Sequence, residues 1–168
     1  MIPAARFWVA FFLILFDTAC RFSAAWALRW TDYRPDVPSL LFRAESQKNR
    51  CDQLLRISHQ TANALQAILD PPRVLIFPWE LHWTSRYNHI KRIFRAAGLP
   101  ADRRGLCQKI RRTSLTLIHR AGGDACQQGG HSSPAVTVRY YLDPTTGVQG
   151  VDFLPRLRLS VNRQRTLF

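Results

Sequence analysis

Hydrophobic and polar positions fall in blocks along this chain, and the blocks predict a series of helices interrupted once by a hairpin. The first block is the least polar. Phe7 to Phe16 is apolar without a break, entered at Pro3 and Arg6. Such a run predicts a helix buried on most of its faces, with Pro3 suited to its first turn. It is too short for a bilayer, which needs about 20 residues. It also has the length of a signal-peptide core, with Ser23-Ala24-Ala25 as a small-residue cleavage site. Next, Ser39–Arg43 and Gln53–Ile57 are strand-length apolar runs around the polar segment Glu45–Arg50, which predicts a hairpin. Helical spacing returns from Ser58 to Asp70: Ser58 is the cap, Leu65, Ile68 and Leu69 the apolar stripe, and Pro71-Pro72 the stop. Phe77-Pro78-Trp79 reads as a loop with aromatic anchors. Thr84 to Ala97 predicts an amphipathic helix with Tyr87, Ile90, Ile93 and Phe94 on its apolar side and Arg86, Lys91, Arg92 and Arg95 on the other, ended by Gly98-Leu99-Pro100.

Arg103 and Arg104 lead into a further helix that carries Arg111-Arg112-Thr113 near its start, where free N–H groups and the helix dipole favour an anion. Asp124, with Gln127 three residues on, caps a short helix, and the Gly129-Gly130 turn frees the backbone to place His131. Together these elements predict an α+β fold, a mainly α-helical single domain with a small antiparallel β-sheet.

Charge changes the picture. The chain of 168 residues has 24 basic against 11 acidic side chains, a net +13, and Lys48, Lys91 and Lys109 are its lysines. An arginine-dominated excess suits a polyanion, because guanidinium pairs bidentately with phosphate and stacks on bases. Cys20, Cys51, Cys107 and Cys126 form no closely spaced ligand pair, which argues against zinc, and scattered thiols fit a reducing cytoplasm. His59, His82, His89 and His119 stand alone and read as ordinary surface or loop residues.

Candidate chemistry gathers in two blocks. Gln108-Lys109-Ile110-Arg111-Arg112-Thr113, then Gly129-Gly130-His131-Ser132-Ser133, then Thr137 and the pair Tyr140-Tyr141 resemble the second block of the tyrosine recombinases (phage-type integrases), H-x-L-R-H-T … L-G-H-S-S … T … Y. Gln108 stands in the place of the first histidine. Asp17 to Asp32 resembles the first block, T-G-x-R-x-S-E-x-x-x-L-x-W-x-D, with Arg21 at the arginine, Ala19 at the glycine and Ala24 at the acidic residue that orients the arginine. Cleavage after Ala25 discards Arg21, so the resemblance favours a core helix and no signal peptide.

The resemblance implies a catalytic domain over residues 1–155, followed by a basic tail over 156–168 with Arg156, Arg158, Arg163 and Arg165. It implies site-specific recombination or integration of double-stranded DNA, in the cytoplasm and in the service of a mobile element, with no metal, cofactor or membrane. Arg21 and Arg111 grip the non-bridging oxygens of one phosphodiester and His131 adds a hydrogen bond. Tyr141 or Tyr140 attacks to give a 3′-phosphotyrosyl link, and Lys48, on the hairpin, protonates the leaving 5′-oxygen. The family spacing of nine or ten residues after the histidine admits either tyrosine, and Tyr141 is preferred because Asp143 follows it two residues on. Gln108 still hydrogen-bonds phosphate but shuttles no proton. Arg50, Arg86, Lys91, Arg92 and Arg112 are expected on the DNA, and the protein is expected to assemble with its own copies there. The separate N-terminal helical domain of relatives has no counterpart in this stretch. With Gln108 and Ala24, that leaves a second expectation, a DNA-binding remnant of the same fold that does not cut.

Overall fold

The computed structural model describes residues 2–102 and 106–142, so Arg103, Arg104, Asp143 and the basic tail lie outside the described residues. Helix α1, Ala4–Thr18, is the apolar run, and it buries Phe7, Ala10, Phe11, Leu13, Ile14 and Leu15. Phe11 meets the ring of Trp26 at 4.6 Å and that of Phe77 edge-on at 5.1 Å. A fully buried phenylalanine contributes about 1.5–3 kcal/mol, so this aromatic cluster is the main reason α1 sits at the centre. The helix ends because Ala19 turns left-handed, φ 49°, ψ 25°. Cys20 follows, and then Arg21 starts α2, Phe22–Trp26, as its N-terminal cap residue.

Three antiparallel strands form the sheet: β1, Tyr33–Arg34; β2, Ser39–Phe42; and β3, Gln53–Arg56. The register pairs Leu40 with Leu55 and Phe42 with Gln53. The predicted hairpin is therefore present, and the two residues of β1 add a strand too short to leave a periodic signal. Asp32, buried, holds this corner by accepting from Arg43 Nε at 2.7 Å and from the Arg29 amide at 2.9 Å.

Helix α3, His59–Gln66, stops before Asp70. Its last turn tightens, with Ile68 N bonding Leu65 O and Leu69 N bonding Gln66 O. Pro71 disfavours helical backbone at Asp70, so the end loosens early. Ile68 is buried, whereas Leu69 is 47% exposed and falls off the predicted stripe. Helix α4, Trp83–Ala96, buries Ile90 and Phe94. Helix α5, Leu106–Arg120, packs along α1, then come α6, Ala125–Gly129, and α7, Pro134–Tyr140. Asp124 caps α6 as expected, accepting from Gln127 N at 2.9 Å.

Candidate active site

One correction organises the site. Because α5 begins at Leu106, Arg111 is its sixth residue and lies past the four free N–H groups of the first turn. Its side chain instead reaches the carbonyl ends of two other helices. Nη1 donates to Ala19 O, just past the end of α1, and Nη2 donates to Gly129 O, the last residue of α6, at 2.6 Å. Orphan carbonyls and the negative end of the helix dipole are what a buried cation seeks. The α1 terminus is otherwise closed by side chains: Ser114 Oγ donates to Phe16 O at 2.5 Å and Gln128 Nε2 to Asp17 O at 3.1 Å. The Asp17 carboxylate in turn accepts from Ser58 N at 2.7 Å and Thr61 Oγ1 at 2.5 Å, tying α1 to α3. Arg111 is 5% exposed, and burial, then the charge of Arg21, lower its pKa.

His131 completes the arrangement. Arg111 Nη2 lies 2.8 Å from His131 Nε2, and guanidinium only donates, so Nε2 accepts. The proton then sits on Nδ1 and is donated to Thr137 Oγ1 at 2.8 Å, at the buried position of α7. Burial, Arg111 and Arg21 push the His131 pKa down to about 4. The imidazole is therefore neutral at pH 7. Its ring packs over Gly129, where an added Cβ meets Cε1 at 2.8 Å, and against Tyr141 at 4.3 Å between centroids. Tyr141 also lies over the Arg111 guanidinium, 5.1 Å from Cζ to ring centroid.

Arg111 and Tyr141 border a cleft of about 630 Å³ that Arg21 and Gln108 also line, with Tyr87 of α4, Cys20 and Cys107 on its walls; His131 sits behind Arg111 and Tyr141 and is not among the lining residues. Burial pushes those thiols up to about 11 and about 12, so they stay protonated and unreactive. Among the described residues no cluster of His, Cys, Asp or Glu is set to hold a metal ion. Ala24 is fully buried, so no carboxylate approaches from that position. Ala19, also fully buried, holds a backbone conformation that glycine adopts without strain.

The remaining expected residues lie apart. Lys48 is exposed in the β2–β3 turn, in a depression with Glu45, Gln47 and Arg50. The turn nevertheless abuts the histidine loop, since a Cβ on Gly130 meets Gln53 Oε1 at 3.1 Å and Asn49 Nδ2 at 3.3 Å. Gln53 Nε2 bonds Gln127 O at 2.7 Å and Gln128 O at 3.1 Å, clamping the end of α6 to β3. Tyr140 is 54% exposed and faces a different cleft, beside Arg112. Arg86 stacks on Trp26, its Cζ 4.4 Å from the ring centroid, with its pKa lowered by burial. Arg50 and Arg92 are exposed and Lys91 is half-buried.

Sequence reasoning missed Thr137 as the partner of His131, the Gln53 clamp, and the carbonyls of Ala19 and Gly129. The paired glycines were the available signal for the last of these, because only a glycine leaves room for the ring beside it.

Among the described residues no helix is long and apolar enough to cross a membrane. No family model and no curated protein matches the sequence. Among solved structures, the chain is similar to the crystal structure of XerA recombinase, with a TM-score of 0.68 and 20% identity over 85% of this chain. It spans about half of that structure, 54%. The chain has a tyrosine recombinase-like α+β fold, mainly helical with a small antiparallel sheet.

Proposed function

We propose that this chain breaks and rejoins DNA through a covalent phosphotyrosyl intermediate. The observation that carries the reading is the state of Arg111. Three of its five donor positions are taken by Ala19, Gly129 and His131, while its buried Nε finds no partner among the described residues. An unsatisfied buried donor costs about 1–3 kcal/mol, which an anionic oxygen reaching it recovers. Arg111 lines a cleft shared with Arg21, Gln108 and Tyr141, so a phosphate bound there lies beside this guanidinium.

In this mechanism Arg21 and Arg111 bind the non-bridging oxygens and neutralise the charge that develops as Tyr141 attacks phosphorus in line. The phenol proton passes to water as the 3′-phosphotyrosyl bond forms and the bond from phosphorus to the 5′-oxygen breaks, and that oxygen departs with a proton from Lys48, whose turn abuts the histidine loop. A 5′-hydroxyl then reverses the step, so bond energy is conserved. Burial and the guanidinium charges together hold the His131 pKa down; the bound phosphate offsets the second of these and shifts the ring towards the protonated form, in which Nε2 donates. Gln108 contributes one neutral hydrogen bond.

Incubation with a pool of nicked suicide duplexes of randomised sequence tests this. A covalent protein–DNA adduct that survives denaturing gels is expected from the native chain and from Tyr140→Phe, and is lost in Tyr141→Phe. Failure of the native chain to form any adduct favours the second reading, a DNA-binding protein of this fold that does not cut, for which Ala24 in the acidic position is the structural reason.

A further inference from the structure

On the side of α5 away from Arg111, the structure holds a second cleft of about 580 Å³, lined by Lys109, Arg112, Thr113, Arg120, Arg139 and Tyr140 among others. At about 100° per residue, positions 109, 112, 113, 116 and 120 share one stripe of the helix, and Arg111 points the opposite way. The stripe climbs about 16 Å from Lys109 to Arg120. A nucleic-acid strand advances about 3.4 Å per phosphate, so a stretch of four or five phosphates matches it. Arg139 enters from α7, with its Cζ 5.3 Å from the ring centroid of Tyr140. Among the described residues, no lining residue carries a carboxylate. Lys109 does meet Asp102 at 3.7 Å, but that pair is solvent-exposed on both sides and contributes little.

Four cations facing one concavity repel each other unless a polyanion occupies it. We infer that this cleft is a second nucleic-acid surface, which takes the sugar–phosphate backbone of a DNA strand beside the Arg111 cleft, with Tyr141 on the wall between the two. The aromatic face of Tyr140 offers a platform for a base or sugar at its edge. The surface supplies affinity and takes no part in bond breaking, and it stands whether or not the chain cuts DNA.

The test is fluorescence anisotropy of a short labelled DNA duplex at several salt concentrations. The native chain is compared with Arg112→Gln/Arg120→Gln and with a charge-matched control on the sheet, Arg34→Gln/Arg56→Gln. All four positions are exposed, and matching thermal melts show that each variant is folded. Each phosphate contact adds about 0.9 to the slope of log K against log salt, so the cleft variant is expected to be shallower by about 2 units, with the control unchanged. An unchanged slope in the cleft variant, or an equal loss in both, overturns the inference. An unchanged slope with adduct still formed defeats this inference alone. A lost slope with no adduct from the native chain defeats only the cleavage reading.

Discussion

Gly129→Ala separates the packing argument from simple helix propensity, because the two predict opposite signs. Gly129 is the last residue of α6, and alanine at a helical position ordinarily stabilises by about 0.5–1 kcal/mol. Here the new Cβ stands 2.8 Å from His131 Cε1, 3.0 Å from Nδ1 and 3.1 Å from Nε2. The ring must retreat by about 0.6 Å to reach ordinary van der Waals contact at 3.4 Å. It has nowhere to go freely. Tyr141 lies against it at 4.3 Å, and both nitrogens are held at 2.8 Å by Thr137 and Arg111. Loss of the neutral hydrogen bond costs about 0.5–1.5 kcal/mol and of the one to guanidinium about 1.5–3. Set against the propensity gain, the net destabilisation is about 1–4 kcal/mol, or roughly 2–4 °C of melting temperature per kcal/mol for a chain of this size. Thermal denaturation followed by circular dichroism reads the melting point, and the NMR shifts of the His131 ring report its displacement. A variant that melts above the native chain with unmoved ring shifts refutes the reasoning.

Three further outcomes follow from the same geometry. His131 should titrate near pH 4 by NMR in the free chain and higher once DNA is bound; a free-state midpoint at the ordinary 6.5 contradicts the buried, doubly flanked position. Because the folded-state pKa is depressed, its contribution to stability is present above about pH 6.5 and is lost as pH falls from there towards 4, which denaturant melts across that window should register. Gln53→Leu keeps the volume but removes the amide donor from two carbonyls at the end of α6, so a loss of about 1–2 kcal/mol and faster amide exchange in residues 127–131 are expected; unchanged exchange would argue that the hairpin and histidine loop are not coupled. Ala19→Gly relieves about 1 kcal/mol of left-handed strain but removes a fully buried methyl, so the melting point should move little while the Arg111 contact survives; a large drop would mean that the methyl packing dominates.

Much of the fold was legible because its signals are local. The apolar run of α1, the Ser58 and Asp124 caps and the polar turn between β2 and β3 each need only neighbouring residues to be read. The failures have a common cause. The residues before Arg111 point to a helix start because they are all that the local sequence shows, whereas its partner Ala19 lies 92 positions away. Gln53 and the α6 carbonyl it clamps are 74 apart, and no periodicity in either segment hints at the other. Tyr140 and Tyr141 illustrate the middle case. The spacing admits both, and only the end of α7 sets one ring over Arg111 and leaves the other exposed, with both residues on the wall of the basic cleft.

The electrostatics of the Arg111 cleft follow from what it lacks. A buried guanidinium is usually balanced by a carboxylate, but among the described residues Arg111 has none, and its position is held by two carbonyl dipoles, the neutral His131 ring and the face of Tyr141. Dipoles orient a cation without cancelling its charge. Burial is the larger cause of both the lowered pKa of Arg111 and the neutral imidazole of His131, and the charge of Arg21 adds to each. An acidic residue in place of Ala24 would partly cancel that charge while steadying Arg21. On the proposed reading, a small apolar residue there trades alignment for attraction: phosphate would be drawn in more strongly, and the Arg21 that is to meet it would be less firmly aimed. On this argument the variant chemistry should fall on the rate of adduct formation more than on DNA affinity, and a suicide-substrate time course set beside the binding isotherm separates the two. Normal rates with weak binding would reverse the assignment of cause.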